Sequence, residues 1–362
     1  MPPVKHPRRS TSSTRRHAAA LLVTAIVLLL AACGAEPSTA AAADRSSSPY
    51  PTRPGPMVRL GRDTVRVLPR GSTAFPEILE LVAGARASVE VEMYEFGRTD
   101  LAAALLRAQA RGVAVTVIDD PSVDVTRATA AQLRAAGVDV LDYPVRKGMI
   151  DHVKLLVVDH HVAVVGGINW GATSDRNHDV DAEVTGPVAA NLERVFLDDL
   201  VTCGRDVADI AAQPDSSILV AATLPGADIR PLVLHLIDSS RTTLDLELYV
   251  LTDTGIVHAI EGAHDRGVRV RVLLDPGQRP SDGPAAELAS AGIDVRLYRS
   301  HGEKLHAKVG VADGQDSILG SANWTTSGFE RNHELDIEVP DAPAIAAQLT
   351  AMADADWSAS AP

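Results

Sequence analysis

Aromatic residues are scarce in this chain. Phe, Trp and Tyr together make up 3% of its 362 residues, so any core must be built from Val, Leu, Ile and Ala. Cysteine is nearly absent, with only Cys33 and Cys203, and two thiols give no disulfide framework. No run of Lys or Arg occurs after the first 32 residues. The formal net charge is −13, and those first 32 residues hold Lys5, Arg8, Arg9, Arg15 and Arg16 with no acid. Removing these five charges takes −13 to −18. The average field then repels a polyanion. That counts against a stable nucleic-acid partner and leaves only a local basic groove open to one. Beyond residue 32 nothing reads as a membrane span.

The N-terminus has its own logic. Paired arginines precede an apolar run from Ala18 to Ala32, too short for a comfortable span and laid out like a cleaved export signal. The run ends Leu30-Ala31-Ala32-Cys33-Gly34, which resembles the lipobox of bacterial lipoproteins. The resemblance implies that residues 1–33 are a signal segment and that Cys33 is lipidated. It also implies an exported protein anchored to the cell membrane on the extracytoplasmic side; simple secretion is the alternative. Arg8-Arg9 and Arg15-Arg16 leave Sec and twin-arginine export both open. Residues 34–56 are rich in Ala, Ser and Pro and read as a tether. Cys203 is then a lone thiol, expected to be buried rather than reactive.

From Met57 the periodicities are those of an α/β protein. Helical spacing over 75–85 is followed by strand-like alternation over 88–96 and a helix over 101–110. A β-branched run over 113–118 reads as a strand buried on both faces. A helix over 128–136 and a strand over 138–141 follow. The whole arrangement then repeats. Ser88-Val89-Glu90-Val91-Glu92-Met93-Tyr94 answers to Thr243-Leu244-Asp245-Leu246-Glu247-Leu248-Tyr249, and Asp120-Pro121 answers to Asp275-Pro276. The offset is 155 in these stretches and 154 between His152 and His306. Residues 57–210 and 211–362 are therefore two copies of one α/β unit, joined by 187–217 with a helix over 192–200. Residues 121–127 and 276–284 are expected to be loops at the substrate.

One stretch occurs in both copies. The second copy reads His306-Ala307-Lys308, four residues to Asp313, then six to Gly320-Ser321-Ala322-Asn323-Trp324. The first copy reads His152-Val153-Lys154, four residues to Asp159, then six to Gly166-Gly167-Ile168-Asn169-Trp170. Each then reaches an Arg-Asn-His-acid run, Arg176–Asp179 and Arg331–Glu334. At roughly one in twenty per residue type, one full copy arises by chance on the order of once in ten thousand chains. This stretch resembles the signature of the phospholipase D superfamily of phosphodiesterases, and the likeness covers about residues 65–345.

The resemblance implies a fold and a chemistry. The fold is two tandem α/β units, each a mixed sheet flanked by helices, related by a pseudo-two-fold axis with the active site at their interface. One chain then completes the site as a monomer. The chemistry needs a nucleophile in line with the leaving oxygen and positive charge on the phosphoryl oxygens. By family precedent His152 attacks phosphorus and His306 acts as general acid and then base. Lys154, Lys308, Asn169 and Asn323 clamp the phosphoryl group, with Ser321 as a further phosphate contact. His and Lys two positions apart on an extended strand share a face. Asp159 and Asp313 complete the catalytic motif, with the strand turn as their expected work. Sequence spacing pairs Asp179 with His152 and Glu334 with His306 as orienting acids. Trp170 and Trp324 are open to two readings, cleft wall or packing. His178 and His333 read as pocket walls or hydrogen-bonding residues. No metal and no cofactor is expected, because each motif His shares its face with a Lys that repels a divalent ion.

Among substrates, hydrolysis of phospholipid head groups to phosphatidic acid is the leading expectation. A nuclease of the same superfamily, a cardiolipin synthase-like phosphatidyltransferase and a catalytically dead binding module are the alternatives.

Overall fold

The computed structural model describes residues 53–299 and 302–360. Cys33 and nearly all of the expected tether lie outside the described residues, as does His301.

The first half runs β1 (Val58–Leu60), β2 (Asp63–Pro69), α1 (Gly71–Gly84), β3 (Ser88–Met93), α2 (Thr99–Ala110), β4 (Ala114–Asp119), α3 (Asp124–Ala135) and β5 (Asp139–Asp142). It continues with β6 (Lys154–Val158), β7 (Val162–Gly166), β8 (Asn177–His178), β9 (Val180–Thr185) and α4 (Pro187–Thr202). The second half runs β10 (Leu219–Ala222), α5 (Ile229–Ser239), β11 (Thr243–Leu248), α6 (Thr254–Asp265), β12 (Arg269–Leu274), α7 (Asp282–Ser290) and β13 (Asp294–Leu297). It ends with β14 (Lys304–Leu305), β15 (Lys308–Ala312), β16 (Asp316–Gly320), α8 (Thr326–Glu330), β17 (Leu335–Val339) and α9 (Pro343–Ala359).

Each half is a mixed sheet. The first has the order β1-β2-β9-β7-β6-β3-β4-β5 and the second β10-β17-β16-β15-β11-β12-β13. In both, three parallel strands joined by helices (β3-β4-β5, β11-β12-β13) sit beside an antiparallel motif hairpin (β6-β7, β15-β16). The motif strand lies against the first parallel strand, with Met93 opposite Lys154 and Leu248 opposite Lys308.

Strand alternation sorts the core into three layers. Along β6, Leu155 and Val157 point into a central core that also holds Val309, Val311, Leu335 and Ile337 of the second half. Leu156 and Val158 point instead into an outer core under α1 and α2. A matching outer core lies under α5 and α6. The sheets thus pack face to face through their inner sides, with α4 and α9 adding Phe196, Leu200, Leu349 and Met352 to the same core. Val, Leu, Ile and Ala fill all three layers, as the scarcity of aromatics requires. Trp170 and Trp324 are buried in the two outer cores, so they pack and do not line the site.

Two boundaries differ from the sequence reading. Residues 124–127 are the first turn of α3, and 279–284 form a short 3-10 turn running into α7. Polar and Ala-rich first turns carry little apolar periodicity, which is why they read as loops. No helix among the described residues is long and apolar enough to cross a membrane.

Candidate active site

The site begins at a short cross-connection between the halves. β14 of the second half pairs in parallel with β8 of the first, setting Lys304 against Asn177 and Leu305 against His178. The mirror contact is a bridge between Asp151 and His333. The backbone N–H of His306 donates to the His178 carbonyl at 2.7 Å, and the N–H of His152 donates to the His333 carbonyl at 2.7 Å. The residue after each of these carbonyls is the orienting acid. His306 Nδ1 lies 2.7 Å from Asp179 Oδ1, and His152 Nδ1 lies 2.7 Å from Glu334 Oε2.

This corrects the pairing expected from spacing. Asp179 serves His306 and Glu334 serves His152: each acid crosses to the other half. Sequence distance suggests a partner in the same copy. The parallel strand contact instead carries the whole Asn-His-acid run to the opposite motif. One run therefore holds both the backbone and the ring of the opposite histidine, leaving each Nε2 for chemistry.

His152 and His306 are each 6% exposed, with Lys154 at 3% and Lys308 at 2% beside them. Each lysine Nζ donates to the carbonyl of the histidine two residues before it. Each also lies over a tyrosine ring, Lys154 5.1 Å from the Tyr94 centroid and Lys308 5.3 Å from that of Tyr249. The same tyrosines meet the histidines, Tyr94 at 4.8 Å from His152 and Tyr249 at 4.6 Å from His306. Spacing alone does not single out these tyrosines. The available signal was their rarity: of five tyrosines in the chain, Tyr94/Tyr249 and Tyr143/Tyr298 form two pairs at the repeat offset.

Burial sets the charge states. It pushes Lys154 down to about 7 and Lys308 down to about 8. It also drives both histidines down, His306 to about 4 and His152 well below its ordinary value, with both lysines adding to the effect on His152. Both rings are neutral at rest. The acids differ. Burial pushes Glu334 up to about 7, whereas at Asp179 His306 and Lys308 outweigh burial and hold the carboxyl below its usual range.

The remaining motif residues sort cleanly. Gly166 and Gly320 are glycine because a Cβ there would lie 2.5 Å from the Cα of Asp181 or Asp336 on the neighbouring strand. Those two acids accept the backbone N–H of Ile168 and Ala322 and so hold the turn to each Asn. Asn169 is 7% exposed, and its side-chain oxygen, like that of Asn323, has no hydrogen-bond partner among the described residues. Ser321 is not a phosphate contact. It is fully buried, its Oγ donates to Glu334 Oε2 at 2.7 Å, and it accepts the Leu335 N–H at 3.0 Å, so the hydroxyl is spent on the orienting acid. Asp159 and Asp313 are not catalytic. Each sits at positive φ in the turn after its strand. Asp159 accepts the backbone N–H groups of Arg86, Ala87 and Ser88, and Asp313 accepts those of Arg241, Thr242 and Thr243. They tie the hairpin to the start of the first parallel strand.

Behind the catalytic pair stand His178 and His333, both fully buried. His178 Nε2 faces Glu247 at 3.4 Å and Asp356 at 3.1 Å; His333 Nε2 faces Asp199 at 2.8 Å and Glu92 at 3.7 Å. The hydrogen-bonding expectation for these histidines holds, but their acids come from α4, α9 and the opposite β-strand. Both groups, and Glu90 with His160 and Glu193 elsewhere, have spacings that a metal ion can accept. Cys203 is half-buried, and burial pushes its thiol up to about 12.

With the constellation in place, comparison with known proteins decides the family. The family described as "Cardiolipin synthase, PLD-like domain" matches residues 78–200 and 233–357, one copy in each half. The chain belongs to the phospholipase D superfamily. Cardiolipin synthase A of Pseudomonas fluorescens (strain SBW25) is 30% identical over 335 residues, covering 81% of this chain and 69% of that protein. A probable cardiolipin synthase of Bacillus subtilis (strain 168) is 24% identical over 325 residues, 78% of this chain and 64% of that one. The chain thus spans about two thirds of such relatives. Among solved structures, phosphatidylserine synthase of Haemophilus influenzae Rd KW20 superposes with a TM-score of 0.64 at 14% identity, covering 85% of this chain and 89% of that one. This phospholipase D-like protein is an enzyme acting on phosphodiester bonds.

Proposed function

We propose that this enzyme transfers a phosphatidyl group from one phospholipid to the hydroxyl of an alcohol acceptor, through a phosphohistidine on His152. The observation that carries the reading is the crossed His152–Glu334 and His306–Asp179 pair, flanked by two buried lysines. The acceptor class rests on the likeness to cardiolipin synthase A, which favours transfer over the hydrolysis expected from the sequence.

The unequal acids support the division of labour. Burial and the two lysines hold the His152 ring neutral, as a nucleophile must be. Its Nε2 lone pair attacks phosphorus, and the bond from phosphorus to the leaving alkoxide breaks. His306 gives that alkoxide a proton; ionised Asp179 and the arriving phosphodiester anion favour its imidazolium. Lys154 and Lys308 neutralise the phosphoryl oxygens, with the amides of Asn169 and Asn323 beside them. The acceptor hydroxyl then returns a proton to His306 and attacks the phosphohistidine, freeing His152. Exclusion of water from so buried a pair favours an alcohol in the second step. We further propose export with an anchor at Cys33, on the strength of Leu30-Ala31-Ala32-Cys33; loss of lipid labelling and membrane retention in Cys33→Ser tests it.

The deciding experiment uses phosphatidylglycerol vesicles with chelator present and plasmid DNA in parallel. Cardiolipin and free glycerol are expected, and both vanish in His152→Ala. Phosphatidic acid as the sole lipid product, whatever the alcohol concentration, would make the enzyme a hydrolase; nicked DNA without lipid turnover would make it a nuclease.

A further inference from the structure

The two clusters behind the catalytic histidines are built alike but charged differently. At His178, the carboxylates of Glu247 and Asp356 meet a second cation, Arg70. Its Nη2 lies 3.4 Å from Asp356 Oδ1 and 3.3 Å from the Tyr298 hydroxyl, while Tyr298 stacks on His178 at 5.6 Å. Arg70 and the Tyr298 hydroxyl also meet the carboxylate of Glu303, so a guanidinium stands among the acids here. At His333, Tyr143 stacks at 5.1 Å in the same manner, and Asp199 and Glu92 take the places of Asp356 and Glu247. No arginine among the described residues joins them. The backbone N–H of Arg70 donates to the Asp179 carbonyl, and in the second half the N–H of Thr223 donates to the Glu334 carbonyl, so Thr223 is the counterpart of Arg70 and carries no charge.

A third carboxyl group stands at this cluster as well, that of the fully buried Asp151. Glu92 has 0% exposure, and neither of its oxygens makes a hydrogen bond among the described residues. Burial, then Asp199 and Asp151, raise the Glu92 carboxyl well above its ordinary range, the response of a buried acid short of a counter-cation.

The backbone opens the same place. α1 begins at Gly71, directly after Arg70, whereas α5 begins only at Ile229, well past Thr223. Where α1 has its first turn, the second half has a loop, and beside that loop lies a cleft of 960 Å³. Tyr143 and Asp199, the counterparts of Tyr298 and Asp356, lie in its lining. Its walls are mixed, with Val195, Leu219, Val220 and Leu224 supplying the apolar part. Of the two arginines that border it, Arg194 faces Asp198 at 3.8 Å and Arg146 is exposed.

We propose that this cleft binds an organic cation, an ammonium or guanidinium group on an apolar body, which takes at Tyr143 and Asp199 the place that Arg70 takes at Tyr298 and Asp356. A charged group there gains from the low dielectric around three carboxyls, and the apolar side chains of the walls accept its hydrocarbon part. The set of His333, Asp199 and Glu92 also has metal-ligand spacing. The equivalent set around His178 is served by a guanidinium, which favours the organic cation.

The test is calorimetric titration of the full chain with benzamidine, with the neutral isostere benzamide, and separately with zinc and manganese chloride. One benzamidine should bind per chain, and benzamide about tenfold more weakly or worse, since only the cation makes a charge-assisted hydrogen bond. Asp199→Asn should remove the binding. Because Asp199 is buried, Leu224→Trp is the second variant: it fills the cleft from its rim. It should lose benzamidine while keeping the wild-type melting temperature and phosphodiester turnover. Equal binding of the two isosteres, benzamidine retained by Leu224→Trp, silence up to about 10 mM, or binding of the metal salts with benzamidine silent would each overturn the proposal.

Discussion

The two halves share one fold and one motif, yet they are not interchangeable at the point where they meet. The acid that the second half lends to His152 is a glutamate, held by Ser321 Oγ at 2.7 Å and by Asn332 Nδ2 at 3.1 Å. The acid that the first half lends to His306 is an aspartate, one methylene shorter, and its Oδ2 is buried without a hydrogen-bond partner among the described residues. Opposite Ser321 in the repeat stands Gly167, where a Cβ would lie 2.8 Å from Asp179 Oδ1. Serine with glutamate and glycine with aspartate are thus two matched solutions to one problem. The departure from Gly-Ser in the first copy is a packing necessity and no sign of decay. On the mechanism we propose, the difference gives the two histidines two tasks: the acid held ionised favours a proton on His306, and the acid pushed towards neutrality leaves His152 free to attack.

Exchanging the matched residues should break this comparison most severely. Gly167→Ser pushes Asp179 off His306 and should lower kcat by about 10³-fold, the scale of losing a histidine's orienting partner. Ser321→Gly removes one of several contacts to Glu334 and should cost only about tenfold. Steady-state rates on a phosphatidylglycerol substrate check both, and equal losses would erase the distinction between the halves.

The crossing itself can be sharpened by double-mutant cycles on urea unfolding. Asp179→Asn and His306→Asn should couple by about 1–3 kcal/mol, as should Glu334→Gln and His152→Asn. The same-half pairs, Asp179 with His152 and Glu334 with His306, should be close to additive. Coupling within the halves would contradict the geometry.

In both clusters behind the site the neighbouring acids raise the buried histidine. Asp356 and Glu247 outweigh burial and raise His178 to about 9 from an ordinary 6.5. A raised histidine contributes stability that is complete below pH 6.5 and lost as pH climbs through 9. The wild-type protein should therefore lose roughly 2–3 kcal/mol over that window relative to His178→Asn. Urea midpoints at pH 6 and pH 9.5 measure it. A parallel pair of curves would mean that His178 is neutral in the fold.

The smallest effect belongs to the turn acids. Asp159→Ala and Asp313→Ala each release three backbone N–H groups, and Asp313 also loses the Thr242 hydroxyl at 2.8 Å. Each should cost about 1–2 kcal/mol of stability, Asp313→Ala somewhat more, with kcat unchanged. A loss of kcat out of proportion to stability would return these acids to the catalytic set.

The legible part of this protein was whatever repeats along the chain. Period-two runs such as 88–93 and their copies at the 155 offset set the strands, and apolar spacing set α1 and α2, because burial on one face imprints a local period. The motif singled out His152, Lys154, His306 and Lys308, since strand geometry puts residues two apart on one side, and the fold buries all four. The glycines at 166 and 320 were visible as motif letters, but their reason, the Asp181 and Asp336 side chains filling that space, was not. Nor was the work of Ser321, Tyr94 or Tyr249, which depends on neighbours far away in the chain.

The sequence by itself determined two copies of an α/β unit, the histidine and lysine of each motif, and the phosphodiester chemistry those residues imply. The tertiary structure alone decided which acid serves which histidine. The reason is physical: spacing reports contacts within a strand or helix, whereas the short parallel contact of β8 with β14, and of Asp151 with His333, carries each Asn-His-acid run across to the other half. No local periodicity encodes that exchange, and it makes one active site out of two halves.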